Sequence, residues 1–102
     1  MPKKSKLDLL VCYDVETVHE QGRKRLRRIA KACEAYGQRV QCSVFECKVT
    51  PVGYEKLLTR LLEEMDEEHD SLRIYFLEGS RDDVVKVFGR DGWTDFDAPL
   101  IV

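Results

Sequence analysis

The sequence predicts an α+β sandwich: one sheet with both helices on one face, in the order strand, helix, strand, strand, helix, strand. Three observations predict it. Residues 7–13 form a near-continuous apolar run of strand length, residues 54–65 repeat apolar side chains at helical spacing, and residues 39–49 alternate with period two and then change phase. At 102 residues the chain is read as a single domain, 1–102, that buries about two thirds of the surface its unfolded form exposes.

Lys6 to Tyr13 is strand one. Its lack of alternation is typical of a strand covered on both faces, and Asp14 marks its carboxyl end. From Glu20 to Tyr36, the positions Leu26, Ile29, Ala30, Cys33 and Tyr36 fall on one helical stripe, and Gly37 supplies a helix stop. Further on, Val40, Cys42 and Val44 share one phase, whereas Phe45, Cys47 and Val49 share the other. Such a flip requires a bulge or a turn near Ser43, which gives strand two, a tight reversal and strand three. Thr50 and Pro51 form the N-cap and first position of helix two, where Tyr54, Leu57, Leu58, Leu61, Leu62 and Met65 follow the i, i+3, i+4, i+7 rule. Leu72 to Leu77 is strand four, Glu78 to Asp83 a connection, Val84 to Phe88 a fifth strand, and Gly89 to Gly92 a turn. The closing Leu100 to Val102 is short and apolar, and is expected to pair with another strand, its own or a partner's. This is the ferredoxin-like βαββαβ arrangement with an additional C-terminal strand.

With 43% hydrophobic and 35% charged residues, the composition excludes the disordered and membrane classes. No apolar run approaches the roughly 20 residues of a membrane span. The basic start is followed by a stretch interrupted by Asp8 and Asp14 with no small-residue cleavage site, so a cytoplasmic location and no membrane partner are expected. Cys12, Cys33, Cys42 and Cys47 form no C-x-x-C pair and read as reduced, buried, small hydrophobic residues. His19 and His69 lie in polar stretches without ligand spacing and read as surface residues.

The net charge of −2 hides an asymmetry: residues 1–50 carry 11 basic and 6 acidic side chains, and residues 51–102 carry 6 and 13. Helix one concentrates Arg23, Lys24, Arg25, Arg27, Arg28 and Lys31, and all but Arg25 fall on the arc opposite its apolar stripe. One or two such charges would be an ordinary solvated face. Six repel one another unless an anion is near, and Glu34 is the only acid between Arg23 and Val44. Arg23, Arg27, Arg28 and Lys31 therefore suit nucleic-acid phosphates. No aromatic residue is interleaved on that arc, so backbone contact is expected rather than stacking or base readout.

Asp14 is a strand-terminating turn residue, a helix cap, or a site residue at the carboxyl end of a central strand. One carboxylate binds Mg²⁺ weakly, and Glu16 is the only other acid close by in sequence. A two-fold dimer that brings two Asp14 side chains together would supply a pair.

The runs "LLVCYDVET", "AKACEAYGQRVQ", "SVFEC", "DSLRIYFL" and "PLIV" resemble the small universal CRISPR-associated protein two, the dimeric partner of the CRISPR integrase in spacer acquisition. The resemblance covers nearly all of residues 7–77, and "YGQRVQ" followed by "SVFEC" is its most specific part. Gly79 to Ala98 departs from the family pattern. The resemblance implies a ferredoxin-like homodimer with Asp14 near the two-fold axis, holding Mg²⁺ or Mn²⁺ shared with its dimer mate. It also implies endonuclease activity on RNA or DNA, and a bridge between integrase dimers that carry duplex DNA. Arg39 and Phe45 then occupy positions linked to activity or to shaping the site, with Tyr13 and Ser43 beside them.

In the enzyme reading, paired Asp14 carboxylates hold the metal, and the helix-one cations, with Arg39, bind nucleic acid and position its backbone. No good general base accompanies them: both histidines lie off strand one, and Glu16 is the one candidate. Two rivals stand beside it. One is a non-catalytic dimeric scaffold that binds duplex DNA and docks the integrase through its acidic half. The other is a toxin-like ribonuclease on the same fold.

Overall fold

The computed structural model describes residues 6–90. The chain runs β1 (Leu7–Asp14), α1 (Glu20–Glu34), β2 (Gly37–Gln41), β3 (Val44–Val49), α2 (Pro51–Glu64), β4 (Ser71–Leu77) and α3 (Arg81–Val84). The strands form one sheet in the order β2-β3-β1-β4, each neighbour antiparallel. This is the ferredoxin-like order, with β1 and β3 central and α1 and α2 on one face.

The apolar run of β1 resolves into alternation once its neighbours are in place. Leu9, Val11 and Tyr13 are buried, Leu10 and Cys12 are half-buried, and Asp14 is exposed. Strand one is thus covered fully on one face only, contrary to the two-sided burial its composition suggests. Successive side chains point to opposite faces, so Asp8, Leu10, Cys12 and Asp14 share the open face with their β4 partners Leu77, Tyr75, Arg73 and Ser71. The helix face holds the core, where Phe45, Leu9, Leu57, Leu61, Val11 and Cys33 are almost wholly removed from solvent.

Local chemistry sets the element ends. At the start of α2 the Thr50 hydroxyl accepts a hydrogen bond from the Gly53 amide at 3.0 Å, with Pro51 in the first turn. Gly37 is not the stop of α1 but the first residue of β2, because the helix already ends at Glu34. Glycine is needed there for a different reason: a β-carbon would lie 2.6 Å from the Glu46 carbonyl oxygen on β3. A turn at Cys42 and Ser43 and a register shift between Arg39 and Gln41 together supply the expected phase change.

Val84 to Phe88 does not form the expected fifth strand. Val84 ends α3, and Val85 to Phe88 carry no regular structure. Gly79, at φ +92°, turns the chain out of β4. The Asp83 and Val84 amides then donate to the Ser80 carbonyl at 3.0 and 3.2 Å, winding one helical turn. Arg81 donates two hydrogen bonds, 2.8 and 3.1 Å, to the largely buried Glu46 carboxylate of β3. The fork–fork pair draws the segment back over the open sheet face. Leu100 to Val102 and part of the Gly89–Gly92 turn lie outside the described residues. Among the described residues no helix is long and apolar enough to cross a membrane.

Candidate functional site

At the carboxyl end of β1, Tyr13 and Asp14 point to opposite faces of the sheet. Tyr13 turns toward the helices, where its amide donates to the Ser43 carbonyl at 3.1 Å and its hydroxyl to the Cys42 carbonyl at 3.5 Å. Its ring stacks on Phe45 with centroids 6.2 Å apart, and the Arg39 guanidinium lies 5.2 Å from the Phe45 centroid. Burial pushes the Tyr13 phenol up, so it stays protonated at neutral pH. Tyr13, Ser43, Phe45 and Arg39 are therefore one cluster, tying the β2–β3 turn to the end of β1.

Asp14 stands on the open face, exposed, and among the described residues its carboxylate has no hydrogen-bond or ion-pair partner. Both oxygens are thus available to a hard cation. Mg²⁺ is held by one or two carboxylates plus water and phosphate oxygens, so this donor fits as half of such a set.

The loop after Asp14 is tightly organised, and its organiser was invisible to sequence reasoning. The Asp70 carboxylate, its side chain fully buried, accepts from the Glu16 amide at 3.1 Å, the Asp66 amide at 2.9 Å, and Arg25 Nε and NH2 at 2.8 and 3.2 Å. Desolvation pushes the Asp70 carboxyl up, but hydrogen bonds from Arg25 and from the Asp66 and Glu16 amides outweigh it and hold it below the usual carboxylate range. The one available signal was Arg25, the single helix-one cation off the outward arc. Gly22 completes the arrangement, because a side chain there would overlap the Glu16 carbonyl.

Glu16 and His19 meet in the same loop. The Glu16 carboxylate accepts from the His19 amide at 3.0 Å and lies 3.4 Å from His19 Nδ1. Desolvation raises the Glu16 carboxyl, but these hydrogen bonds prevail and lower it. A lowered carboxyl is a weaker base. Glu16 thus serves the start of α1 more than proton abstraction.

The cations of α1 face solvent as expected, but acids approach two of them: Lys24 lies 3.9 Å from Glu20 one turn back, and Arg28 3.9 Å from Glu64 of α2. On β2, Arg39 lies 3.7 Å from Glu34. Arg23 donates to the Thr17 and Val18 carbonyls at 3.0 and 3.2 Å, in the loop after Asp14. Arg27 and Lys31 are exposed, with no ion-pair partner among the described residues. Exposed pairs contribute about 0–1 kcal/mol, so a phosphate displaces them easily. The basic face lies on the helix layer, and Asp14 lies on the other face of the sheet.

All four cysteines are free thiols, but only Cys33 and Cys47 are buried as expected; Cys12 is half-buried on the open sheet face and Cys42 is exposed in the β2–β3 turn. Burial pushes Cys33 and Cys47 up to about 12, which leaves them unreactive. Ligand atoms of Asp66, Glu68 and His69 lie within 4.8 Å of one another, a proximity the sequence spacing did not suggest. Asp66 accepts from the Glu68 amide at 3.0 Å and lies 3.0 Å from His69 Nδ1, so the grouping shapes the α2–β4 turn.

Comparison with known proteins agrees with this geometry. The family profile described as CRISPR associated protein Cas2 matches residues 8–84. The CRISPR-associated endoribonuclease Cas2 of Chlorobaculum tepidum is 51% identical over 92% of this chain and 98% of its own length. CRISPR-associated endoribonuclease Cas2 1 of Moorella thermoacetica is 48% identical over the same shares, 92% and 98%. The crystal structure of Streptococcus pyogenes Cas2 at pH 6.5 superposes with a TM-score of 0.73 at 49% identity, covering 80% of this chain and 99% of that one. A profile match across nearly the whole described fold, and relatives about half identical over almost their full length, lead to one assignment: the chain belongs to the CRISPR-associated Cas2 family.

Proposed function

We propose that the chain is a divalent-metal-dependent endonuclease on RNA or DNA that works as a homodimer and bridges the CRISPR integrase on duplex DNA in spacer acquisition. The observation that carries the catalytic part is Asp14, an exposed carboxylate without a partner among the described residues, at the end of a central strand. The endonuclease names of the relatives support the same reading. A two-fold axis over the open sheet face would cover Leu10, Cys12 and Tyr75 and bring two Asp14 side chains toward one another. Mg²⁺ or Mn²⁺ bound there supplies Lewis-acid polarisation of a phosphodiester oxygen and a bound water of lowered pKa. Asp14 holds the ion, Tyr13 and Phe45 brace the strand end, and Arg39 with the exposed cations of α1 engages phosphates. Glu16 is a weak base, so turnover is slow.

The test is Asp14→Asn in highly purified protein with Mg²⁺. Cleavage is expected to disappear while folding is unchanged. Undiminished cleavage would assign the activity to another source.

The commitment of Glu16, the acid closest to Asp14 in sequence, to the start of α1 favours a second reading, a dimeric scaffold that grips duplex DNA without cutting it. In that case reversing Arg27 and Lys31 to Glu abolishes spacer acquisition, whereas Asp14→Ala leaves it intact.

A further inference from the structure

We infer that Asp70 is the positioning residue of this site: its buried carboxylate holds the loop that follows Asp14 and thereby sets how tightly the end of β1 binds a divalent cation. This rests on Asp14 being the cation ligand. Three observations carry the positioning role. Ser71 is the register partner of Asp14, so the residue next to Asp70 is paired with the ligand itself. The Asp70 carboxylate accepts from the Glu16 amide at 3.1 Å, two residues beyond Asp14. The segment 14–16 is therefore fastened at both ends to residues 70 and 71, with Val15 buried between them. From the α1 side, Gly22 admits the Glu16 carbonyl where any side chain would exclude it.

A packing role alone does not call for this residue type. Buried ion pairs are weak evidence for stability, and well-packed apolar pairs often replace them without loss. An apolar side chain, however, cannot accept hydrogen bonds from the backbone of both the β1–α1 loop and the α2–β4 turn, as Asp70 does from Glu16 and Asp66. Arg25, the cation turned away from the outward arc, neutralises it at 2.8 Å. Fixing the backbone beside a metal-binding carboxylate lowers the ordering cost of binding. Groups that hydrogen-bond a ligand directly change metal affinity by about 10–100-fold, and Asp70, one backbone segment removed, is expected at the low end of that range.

The experiment uses the full-length chain and four variants: Asp14→Asn, Asp70→Ala, Arg25→Gln, and the double variant Asp70→Asn with Arg25→Gln. The double variant keeps an oxygen for the Glu16 amide and a neutral partner for residue 25. Amide hydrogen exchange is followed at residues 15–17 of the metal-free protein, and Mn²⁺ binding is measured by electron paramagnetic resonance. In Asp70→Ala, exchange at 15–17 is expected to rise while β1–β3 protection is retained, and Mn²⁺ affinity to fall about 10-fold or more. The double variant is expected to recover Mn²⁺ affinity to within roughly threefold of wild type. If Asp70→Ala does not fold, Arg25→Gln serves as the weakening variant, with the same pattern expected in milder form. Wild-type Mn²⁺ affinity in a folded weakened variant, or unchanged exchange at 15–17, overturns the role of Asp70. Full Mn²⁺ binding by Asp14→Asn overturns instead the reading of Asp14 on which it rests.

Discussion

Gly22 and Glu16 meet backbone to backbone: a β-carbon on Gly22 would overlap the Glu16 carbonyl oxygen. Two effects of Gly22→Ala oppose each other. Alanine favours the helix by up to about 1 kcal/mol, and overpacking costs about 1–3 kcal/mol. A backbone carbonyl in a pinned loop cannot swing aside as a flexible side chain would, so the clash wins. Gly22→Ala is expected to lower stability by about 1–2 kcal/mol in urea unfolding. An increase would mean that the first turn of α1 does not pack on the loop.

The Asp70 carboxyl makes stability depend on acid. Desolvation raises it, but Arg25 and the Asp66 and Glu16 amides bring its folded pKa below the unfolded value of about 3.9. Its contribution is thus fully present above the unfolded pKa and lost as pH falls through the folded one. Unfolding free energy should decline from about pH 5 downward, and the decline should be shallower in the double variant Asp70→Asn with Arg25→Gln. Parallel acid limbs in the two proteins would argue against this source.

Phe45, with 0% exposure, carries the core on one side of the site. Phe45→Ala is expected to cost about 3–5 kcal/mol by thermal or urea unfolding. Arg39→Ala removes an exposed cation that lies over the same ring and 3.7 Å from Glu34, together an effect of about 1 kcal/mol. If Arg39 contacts phosphate, its loss weakens nucleic-acid binding far more than folding. Equal losses in both would make Arg39 a structural residue.

The α1 cations separate by salt dependence. Replacing Arg27 and Lys31 together with Gln should reduce the slope of log affinity against log salt for duplex DNA by about two, with stability within about 0.5 kcal/mol of wild type. Arg25→Gln should do the reverse, lowering stability and leaving the slope unchanged, because its guanidinium faces Asp70. A slope that does not move in the Arg27 and Lys31 variant would place the DNA surface elsewhere.

The element order as far as β4, the cap at Thr50 and Pro51, the phase change near Ser43 and the outward cations of α1 could all be read from the chain itself. Each depends on periodicity or on contacts within a few residues, where spacing and geometry are nearly the same thing. Asp14 was legible as the acid that ends the apolar run of strand one; that it stands on the face opposite Tyr13 came from the alternation seen in the sheet.

Tertiary structure decided the rest. Asp70 finds Arg25 across 45 positions and Arg81 finds Glu46 across 35, separations that no local pattern encodes. The Arg81 contact draws the chain back over the sheet, so the apolar residues after it make no strand although their β propensity suggests one. Glu64 approaches Arg28 only because α2 packs beside α1. The sequence alone determined the strands and helices up to β4 and the outward arc of cations on α1. Only folding decided which charges meet and where the loop beside Asp14 is held, because such pairings follow from three-dimensional closure rather than from neighbours along the chain.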